Sequence, residues 1–368
     1  MTEFRRIFVA SDKFKGSLSG AEACAALARG LARRFPGAVI ETCPIADGGE
    51  GFAKALAGPL GGRWVELVAD DALGRPVEVR YLMAEAPDGP LAVMEMAEAS
   101  GLWRIAPEER NILRARTTGT GQMMRHAIEH SGARRIILGI GGSATNDGGA
   151  GLASALGVRF LDADGRSLDP CPQGWVGRLA SVEASARIPL PPVVAACDVD
   201  IVLLGERGAT RIFGPQKGAD EGTIPVLERA LEALVRLSGG EADALWPGAG
   251  AAGGLGFGLL HFAGASLVPG FDLLADLTGL AGGIEGADLV VTGEGSLDAQ
   301  TLTGKGPAGV ARLAREKGKA VWAFCGRCGE SVRGHALFDR VSDLASTGLP
   351  EETLFADAAR LLEEAAAL

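Results

Sequence analysis

The sequence is poor in aromatic residues and in positive charge, and these shortages exclude several classes of function. Aromatic residues make up 5% of the 368 positions, and 36 basic residues against 46 acidic ones give a net charge of −10. A chain with this balance is not expected to bind nucleic acid. There is also no apolar run of about 18 residues and no N-terminal apolar signal segment, so we predict a cytoplasmic protein that does not enter a membrane.

Cysteine is scarce and scattered. The six cysteines, at positions 24, 43, 171, 197, 325 and 328, do not form the spaced framework of a disulfide-rich protein, and they suit a reducing compartment. Cys325 and Cys328 form a lone Cys-x-x-Cys with no second pair and no nearby histidine. We therefore expect neither zinc nor redox chemistry there.

Glycine, in contrast, is abundant, with 55 residues that cluster in loops between apolar segments. This distribution predicts many tight turns rather than a low-complexity chain. At its length the chain is expected to form two domains.

The order of predicted elements indicates a discontinuous first domain. Strand, loop and helix alternate near the N-terminus and again after residue 285, as in a parallel sheet, whereas short strands and turns typical of a mixed sheet begin near residue 64. We predict an α/β protein with a Rossmann-like parallel-sheet domain from residues 1–65 and 285–368. Residues 66–284 would form an inserted α/β domain with a mixed sheet, and the active site would lie in the cleft between the two.

The glycine-rich segment 139–151 is the most informative motif. It follows the apolar run 136–138 and precedes a predicted helix near residues 152–156, so a glycine turn leads into a helix N-terminus, where N–H groups can bind an anion. The polar residues of the turn add hydroxyl, amide and carboxylate groups: Ser143, Thr145, Asn146 and Asp147. We expect Gly142 and these residues to bind phosphate or carboxylate, with Asp147 holding a metal ion.

Further polar loops follow predicted strands. Asp12, Lys15 and Ser17 come after the first strand, and Asp47 and Glu50 surround two glycines after the second. Asp198 ends the strand 193–197 and is a candidate general base. Each of these groups has an alternative interpretation. The loop with Asp12, Lys15 and Ser17 would be merely solvated, Asp47 and Glu50 would be acids at a helix start, and Asp198 would be an acid in a turn.

Two more loops carry candidate ligands. Residues 213–219 present Lys217 on a rigid turn, and residues 293–305 bring Gly293, Glu294, Ser296, Asp298 and Lys305 to one region. Acids together with a lysine suit Mg²⁺ and phosphate, although Lys305 is not part of a Walker A motif.

The residues alone leave other functions open. Gly139, Gly141 and Ala144 fit the dinucleotide fingerprint, with Asp162 and Asp164 about 20 residues on, so an NAD-dependent oxidoreductase of a small hydroxy acid competes with a phosphotransferase. Asp147 would repel a pyrophosphate, which weighs against NAD. A non-catalytic protein that binds small anions is a third interpretation, but it leaves the many acidic loops unexplained.

Taken together, the motifs resemble those of the bacterial glycerate kinases, the class that includes the glycerate 2-kinases. The blocks occur in order through nearly the whole chain, at residues 12–18, 46–51, 95–102, 117–121, 141–149, 213–219 and 292–305. Two departures are Lys13, where the family usually has serine, and Ile201-Val202-Leu203, where it usually has Asn-Pro-Leu.

The resemblance implies phosphorylation of D-glycerate with ATP and Mg²⁺, in a Rossmann-like domain with a second α/β domain inserted. We expect 2-phosphoglycerate as the product, with transfer to the 3-hydroxyl as the alternative, and either a monomer or a homodimer. In this scheme Mg²⁺ is held by some of Asp147, Glu294 and Asp298, and the proton goes to Asp47 or Asp198. Lys15, Lys217 and Lys305 would contact phosphate or the glycerate carboxylate, and Asp12, Ser17, Gly293 and Ser296 would complete the binding loops.

Overall fold

The computed structural model describes residues 4–46, 48–302 and 306–368, with the side chain of Gln300 excepted. Its residues form two compact units. Unit 1 comprises residues 1–47, 54–60 and 271–368, and unit 2 comprises residues 48–53 and 61–270. Among the helices of the described ranges, none has the length and apolar character that a membrane span requires.

The strands are three to 11 residues long. In chain order they are β1 (Arg6–Ser11), β2 (Val39–Thr42), β3 (Arg63–Asp70), β4 (Pro76–Ala86), β5 (Gly89–Glu95), β6 (Arg135–Gly139), β7 (Arg159–Leu161), β8 (Ser181–Glu183), β9 (Val193–Ala196), β10 (Ser266–Val268), β11 (Leu289–Leu297), β12 (Ala320–Cys328) and β13 (Arg340–Asp343).

The helices alternate with these strands in the α/β manner. They are α1 (Gly20–Arg34), α2 (Phe52–Leu60), α3 (Ala97–Ser100), α4 (Thr118–Glu129), α5 (Ala150–Ala155), α6 (Pro172–Trp175), α7 (Ala209–Phe213), α8 (Ile224–Ser238), α9 (Glu241–Ala244), α10 (Ala251–Ala263), α11 (Gly270–Thr278), α12 (Leu280–Glu285), α13 (Ala299–Leu302), α14 (Pro307–Glu316), α15 (Glu351–Ala356) and α16 (Ala358–Ala367).

Unit 1 is built on a parallel sheet with the strand order β13-β12-β11-β1-β2. β1 pairs with β2 on one side and with β11 on the other. The first part of the chain therefore extends the sheet in one direction from β1, and the later strands extend it in the opposite direction. Such a switch point opens a crevice at the carboxyl ends of the two central strands, which is where open α/β sheets bind ligands. The unit has its own core, which includes Val9, Leu27, Leu289 and Leu362.

Unit 2 contains a mixed sheet with the order β10-β9-β6-β5-β4-β3. β3, β4 and β5 form an antiparallel meander, and β5, β6, β9 and β10 run parallel. The carboxyl ends of these four parallel strands therefore meet at one edge of the sheet. A core that includes Met94, Leu138 and Leu255 lies within this unit.

The predicted fold class is confirmed, with a parallel sheet from both chain ends and a mixed sheet from the middle. The unit boundaries lie near residues 61 and 270, because β3 pairs with β4 of the mixed sheet while α11 and α12 group with unit 1. The sequence predicts these boundaries at residues 66 and 284. Near the C-terminus the helical chain breaks at Asp357, which separates α15 from α16.

Candidate functional site

In unit 1 the polar loops predicted from the sequence follow β1 and occupy the end of β11. Ser11 pairs with Gly293 at the last position of the β1–β11 ladder, and the Asp12 N–H donates to the Gly293 carbonyl at 2.8 Å. The two loops therefore lie side by side at the switch point of the sheet. Because both strands end here, this part of unit 1 offers backbone and side-chain groups to a ligand.

Asp12 is a buried acid at this position. Its carboxylate Oδ1 accepts a 2.6 Å hydrogen bond from the backbone N–H of Lys13. A carboxylate held by its neighbour's backbone has a fixed orientation, so Asp12 can serve either as a metal ligand or as an acceptor for a hydroxyl group.

Glu294 and Asp298 are linked through one hydroxyl group. Thr301 Oγ1 donates to Glu294 Oε1 at 2.7 Å, and the Asp298 N–H donates to the same Thr301 oxygen at 3.1 Å. The Thr301 N–H also donates weakly to Asp298 Oδ1, at 3.4 Å. Thr301 thus orders both acids that the sequence marks as candidate metal ligands, and it links them to each other.

The remaining predicted residues of unit 1 are more exposed. Lys15 is exposed in the loop after β1, Ser17 donates its hydroxyl group to the Phe14 carbonyl at 3.1 Å, and Ser296 is exposed on β11. Lys305 lies outside the described residues, as does Asp47.

In unit 2 the glycine-rich segment leaves the end of β6 and is held by the loop after β5. The Leu102 N–H donates to the Gly142 carbonyl at 2.9 Å, and the Ala144 N–H donates to the Ser100 carbonyl at 2.9 Å. These bonds fix the backbone of the turn on both sides of Ser143.

Asp147 is fully buried, and both of its carboxylate oxygens accept hydrogen bonds. Oδ2 accepts from the Thr117 N–H at 2.7 Å, from the Thr117 hydroxyl group at 2.8 Å and from the Gly151 N–H at 3.1 Å. Oδ1 accepts from the Gly149 N–H at 3.1 Å. Burial raises the pKa of this carboxyl group, and the hydrogen bonds from Thr117, Gly151 and Gly149 act in the opposite direction.

This geometry changes the interpretation of the glycine turn. The sequence suggests that the N–H groups at the start of α5 bind an anion, but Asp147 itself accepts hydrogen bonds from the N–H groups of Gly149 and Gly151. Asp147 also has no exposed surface through which a metal ion could be reached. The environment therefore favours an internal cap of α5 over the metal-binding role predicted for Asp147.

Lys217 is the buried cation of unit 2, with 2% of its surface exposed. Its ammonium group donates to Ser143 Oγ at 2.6 Å and to the Thr145 carbonyl at 2.8 Å. Burial lowers the pKa of Lys217 to about 7, and the charge of Asp147 partly offsets that effect. The structure thus brings Lys217, Ser143 and Thr145 together, as a phosphate or carboxylate site requires.

Asn146 is buried beside this group. Its Nδ2 donates to Thr210 Oγ1 at 3.0 Å, whereas its Oδ1 has no hydrogen-bond partner among the described residues. A buried acceptor of this kind costs free energy unless a ligand or water donates to it. The amide oxygen is therefore a candidate contact for a substrate hydroxyl group.

Asp198 is half-buried just beyond the end of β9. Its Oδ1 accepts a 3.0 Å hydrogen bond from the backbone N–H of Gly270. This bond orients the carboxylate at the same edge of the sheet from which the glycine turn departs, because β6 and β9 are parallel neighbours.

Magnesium requires few protein ligands when it is bound together with a nucleotide, typically one or two carboxylates. No cluster of three or more His, Cys, Asp or Glu side chains that could hold a metal ion occurs in the part of the chain that the structure describes. Asp12, after β1, and Glu294 and Asp298, at the end of β11, are enough to supply the one or two carboxylates that Mg²⁺ needs when a nucleotide is bound. All six cysteines are buried, and none of them forms a disulfide within the described residues.

Sequence reasoning missed the residues that order the site. Thr117 and Thr210 bind Asp147 and Asn146, and Thr301 binds Glu294 and Asp298. Of these threonines, Thr117 and Thr301 enter the sequence interpretation only through the family resemblance of residues 117–121 and 292–305. The partners lie up to 64 positions from the groups they hold, and no local pattern marks the distant ones.

The family model for the glycerate kinase family matches residues 7–368. The chain belongs to the glycerate kinase family. A member of this family is a phosphotransferase, so the function predicted from the motifs is confirmed at that level.

Relatives of the chain agree with this assignment. It is 40% identical to a glycerate kinase of Bacillus subtilis (strain 168), over 98% of this chain and 96% of that protein. It is 38% identical to a glycerate 2-kinase of Escherichia coli (strain K12), over 94% of this chain and 92% of that protein. A crystal structure assigned as glycerate kinase 2, from Salmonella typhimurium LT2, covers 99% of this chain and 96% of its own with a TM-score of 0.85 and 36% identity.

The structure also accounts for the apparent dinucleotide fingerprint. In that motif the glycine turn opens directly into a helix, whose N-terminus receives the pyrophosphate. Here β6 ends at Gly139, and α5 begins only at Ala150, well beyond the end of the fingerprint at Ala144. Asp147 then occupies the helix N-terminus, so the motif lacks the context that an NAD-binding site needs.

Proposed function

We propose that this glycerate kinase family member transfers the γ-phosphoryl group of ATP to the 2-hydroxyl group of D-glycerate. The observation that carries the regiochemistry is the 38% identity to a protein named glycerate 2-kinase, over 94% of the chain. The described residues support the chemical class. Unit 1 has acids that suit a metal ion at the end of β1 and on β11, and unit 2 has a buried lysine in contact with the glycine turn after β6.

The glycerate-binding role belongs to unit 2 in this proposal. The buried Lys217 ammonium group and Ser143 would bind the glycerate carboxylate, and Asn146 Oδ1 would accept a hydrogen bond from a substrate hydroxyl group. A cation with so little water around it interacts strongly with an anion, because the local dielectric is low. Lys217 is already oriented by two hydrogen bonds, so little ordering is needed on binding.

The nucleotide-binding role belongs to unit 1. Asp12 and Glu294 would hold Mg²⁺, which supplies charge neutralisation of the phosphates when it is bound. Asp298 acts as an alternative ligand or as a partner of Glu294 through Thr301. Lys15 and Lys305 would contact the phosphates as point charges, and the backbone of Gly293 and the hydroxyl groups of Ser17 and Ser296 would complete these loops.

The proton of the attacking hydroxyl group would pass to Asp198 or Asp47. Asp198 is held in position by the Gly270 N–H, which leaves the carboxylate able to accept a proton at a fixed location. Gly48, the residue after Asp47, packs against Ala196, two residues before Asp198.

Phosphorus NMR of a reaction mixture tests the activity and its regiochemistry together. ATP, Mg²⁺ and D-glycerate should yield ADP and 2-phosphoglycerate, and a resonance of 3-phosphoglycerate instead would overturn the proposed position of transfer. Absence of glycerate-dependent ADP formation would overturn the proposed function.

The same assay identifies the base. We expect Asp198→Asn or Asp47→Asn to lower kcat by about 10²-fold or more, because general-base catalysis contributes that much. Near-normal kcat in both variants would exclude both residues as the base. Asp200→Asn, an exposed acid two residues beyond Asp198, serves as the matched control and should retain activity.

A further inference from the structure

Glu95 is a buried carboxylate that no step of the proposed mechanism uses. It ends β5, with 7% of its surface exposed. Its Oε2 accepts from the Gly51 N–H at 3.0 Å, and its Oε1 accepts from the Ala53 N–H at 2.8 Å. Both oxygens therefore hold the backbone of one short segment, residues 48–53.

This segment packs on the ends of the parallel strands of unit 2. A Cβ atom on Gly48 would lie 2.8 Å from the Ala196 side chain, at the end of β9, and the Gly48 backbone has a φ of +82°. The Gly141 N–H approaches the Gly48 carbonyl at 3.4 Å. Segment 48–53 is thus in close contact with the loops that carry Asp198 and the glycine turn.

Glu95 also controls the start of α2. The helix begins at Phe52, and Ala53 is one of the first-turn residues whose N–H groups have no partner within the helix. A carboxylate at this position satisfies such a group and interacts favourably with the helix dipole. The acid comes from the sheet rather than from the helix sequence, which ties the first turn of α2 to β5.

We propose that Glu95 is a positioning residue for phosphoryl transfer, and this inference rests on the proposed function. By holding Gly51 and Ala53, it fixes segment 48–53 against β6 and β9. Glu50 lies within the segment, so the anchor limits where this acid can be, and Asp47, a candidate base, directly precedes the segment in the sequence. Glu95 acts through that backbone, since both of its oxygens already accept hydrogen bonds from it.

Glu95→Gln tests the anchor with two separate measurements. Glutamine keeps one acceptor and turns an NH₂ group toward an N–H donor, so the segment loses at least one bond. We expect amide hydrogen exchange at Gly51 and Ala53 to become roughly five-fold faster or more, since one such bond contributes about 1 kcal/mol. We also expect kcat to fall about ten- to 100-fold, with the KM for ATP changed less than about two-fold, because small misplacements of a reacting group have costs of this size.

Glu98→Gln is the matched control, since Glu98 is a nearby acid whose ion pairs with Arg80 and Arg104 are long, at 3.9 and 3.7 Å. It should leave both the exchange and kcat unchanged. Glu95→Asp keeps the charge and both acceptors but shortens the side chain, so it should give an intermediate result even if the glutamine variant does not fold.

Two outcomes would overturn the inference. Wild-type exchange rates at Gly51 and Ala53 in both Glu95 variants would show that the carboxylate is not the anchor. Faster exchange with unchanged kcat would show that the anchored segment does not contribute to the reaction. An inactive wild-type enzyme would instead count against the proposed function, whereas the exchange measurement would still report on the anchor.

Discussion

Burial in the folded protein disfavours the charged form of Lys217. Its ammonium group is enclosed beside Ser143 and Thr145, and burial lowers its pKa from the ordinary 10.5 to about 7. Near neutral pH the residue thus changes charge in the folded state, although an ordinary lysine does not. This places both the stability of unit 2 and the charge of the proposed carboxylate site under the control of pH.

The sign of the stability effect follows from proton binding. Between pH 7 and 10.5 the unfolded chain keeps the proton on Lys217, while the folded chain has mostly lost it. The free energy of unfolding therefore rises with pH in this range. We expect Lys217 to contribute an increase on the order of 1 kcal/mol per pH unit between about pH 7.5 and 9.

Denaturant unfolding at several pH values measures this slope. Lys217→Met should remove the increase, whereas Lys317→Met, which changes a more exposed lysine paired with Glu285, should keep it. Equal slopes in wild type and Lys217→Met would mean that the buried lysine keeps an ordinary pKa.

Residues such as Lys217 show where sequence reasoning ends. The motif around residues 213–219 identifies the lysine as a candidate, but it does not show that Ser143, 74 positions away, receives its hydrogen bond. Asp147 gives the opposite lesson. Its position in a polar glycine turn suggests a metal ligand, but in the structure its carboxylate accepts hydrogen bonds from the nearby Gly149 and Gly151 and from the distant Thr117.

At the scale of elements, the glycine turn is hydrogen-bonded to the start of α10. Ala252, Gly253 and Gly254 all have left-handed backbone angles, with φ values of 54°, 68° and 89°. The Gly148 N–H donates to the Gly253 carbonyl at 3.1 Å, and Thr145 Oγ1 donates to the Ala252 carbonyl at 3.3 Å. The glycine-rich segment 139–151 and the glycines at the start of α10 are thus packed together.

Gly253→Ala should disrupt this packing. A Cβ atom on Gly253 would lie 1.9 Å from the Thr145 carbonyl oxygen, so the backbone of Thr145 and Asn146 must move. We expect a loss of roughly 3 kcal/mol or more in stability, from backbone strain together with overpacking. Thermal unfolding and the KM for glycerate should both change.

Gly264→Ala provides a control with the same backbone cost. Gly264 has a φ of +63°, but among the described residues no neighbouring atom lies within 4 Å of the position that a Cβ atom would take. This variant should lose only about 1–2 kcal/mol, the cost of the left-handed conformation. Equal losses in the two variants would show that the loop contact has no energetic importance.

Local signals predicted some elements well and others poorly. Ser19 and Glu22 have the Ser-x-x-Glu spacing that is typical of a capping box, and they form one at the start of α1, with hydrogen bonds of 2.8 Å and 3.3 Å between the two residues. The loop predicted after residue 292 is instead the continuation of β11 to Leu297. Its glycines resemble a turn, but pairing with β12 through Leu297 and Cys328 keeps the segment extended.

At the scale of the whole molecule, the two units differ in how the chain builds them. Nearly all of unit 2 comes from the continuous segment 61–270, and it includes a mixed sheet with a core of its own. A second core cluster in the same range includes Phe160, Trp175 and Phe257. A domain with a complete core of this kind is expected to fold by itself.

The fragment of residues 61–270 tests this expectation. We predict a soluble protein that unfolds cooperatively on heating, followed by circular dichroism, and that retains protected amides in β6 and β9. The fragment of residues 1–60 is the comparison, and it should remain unfolded because β1 lacks its partner β11. Non-cooperative unfolding of the larger fragment would mean that unit 2 depends on the rest of the chain.

The architecture was more predictable than the site. Strand–loop–helix alternation at both ends of the sequence indicated one parallel sheet, because such units pair strands that are neighbours in the α/β pattern. The assignment of residues 48–53 to unit 2 could not be predicted. It depends on hydrogen bonds from Gly51 and Ala53 to Glu95, which lies 44 and 42 positions further along the chain.

The pairing of β1 with β11 has a consequence for synthesis on the ribosome. Ser11 and Gly293 are 282 positions apart, so the first strand emerges long before the strand beside it exists. During that interval the apolar face of β1 has no complete sheet, while the segment 61–270 emerges in one piece and can fold first. Translation therefore exposes β1 and α1 to chaperones and to aggregation for as long as it takes to synthesise the rest of the chain.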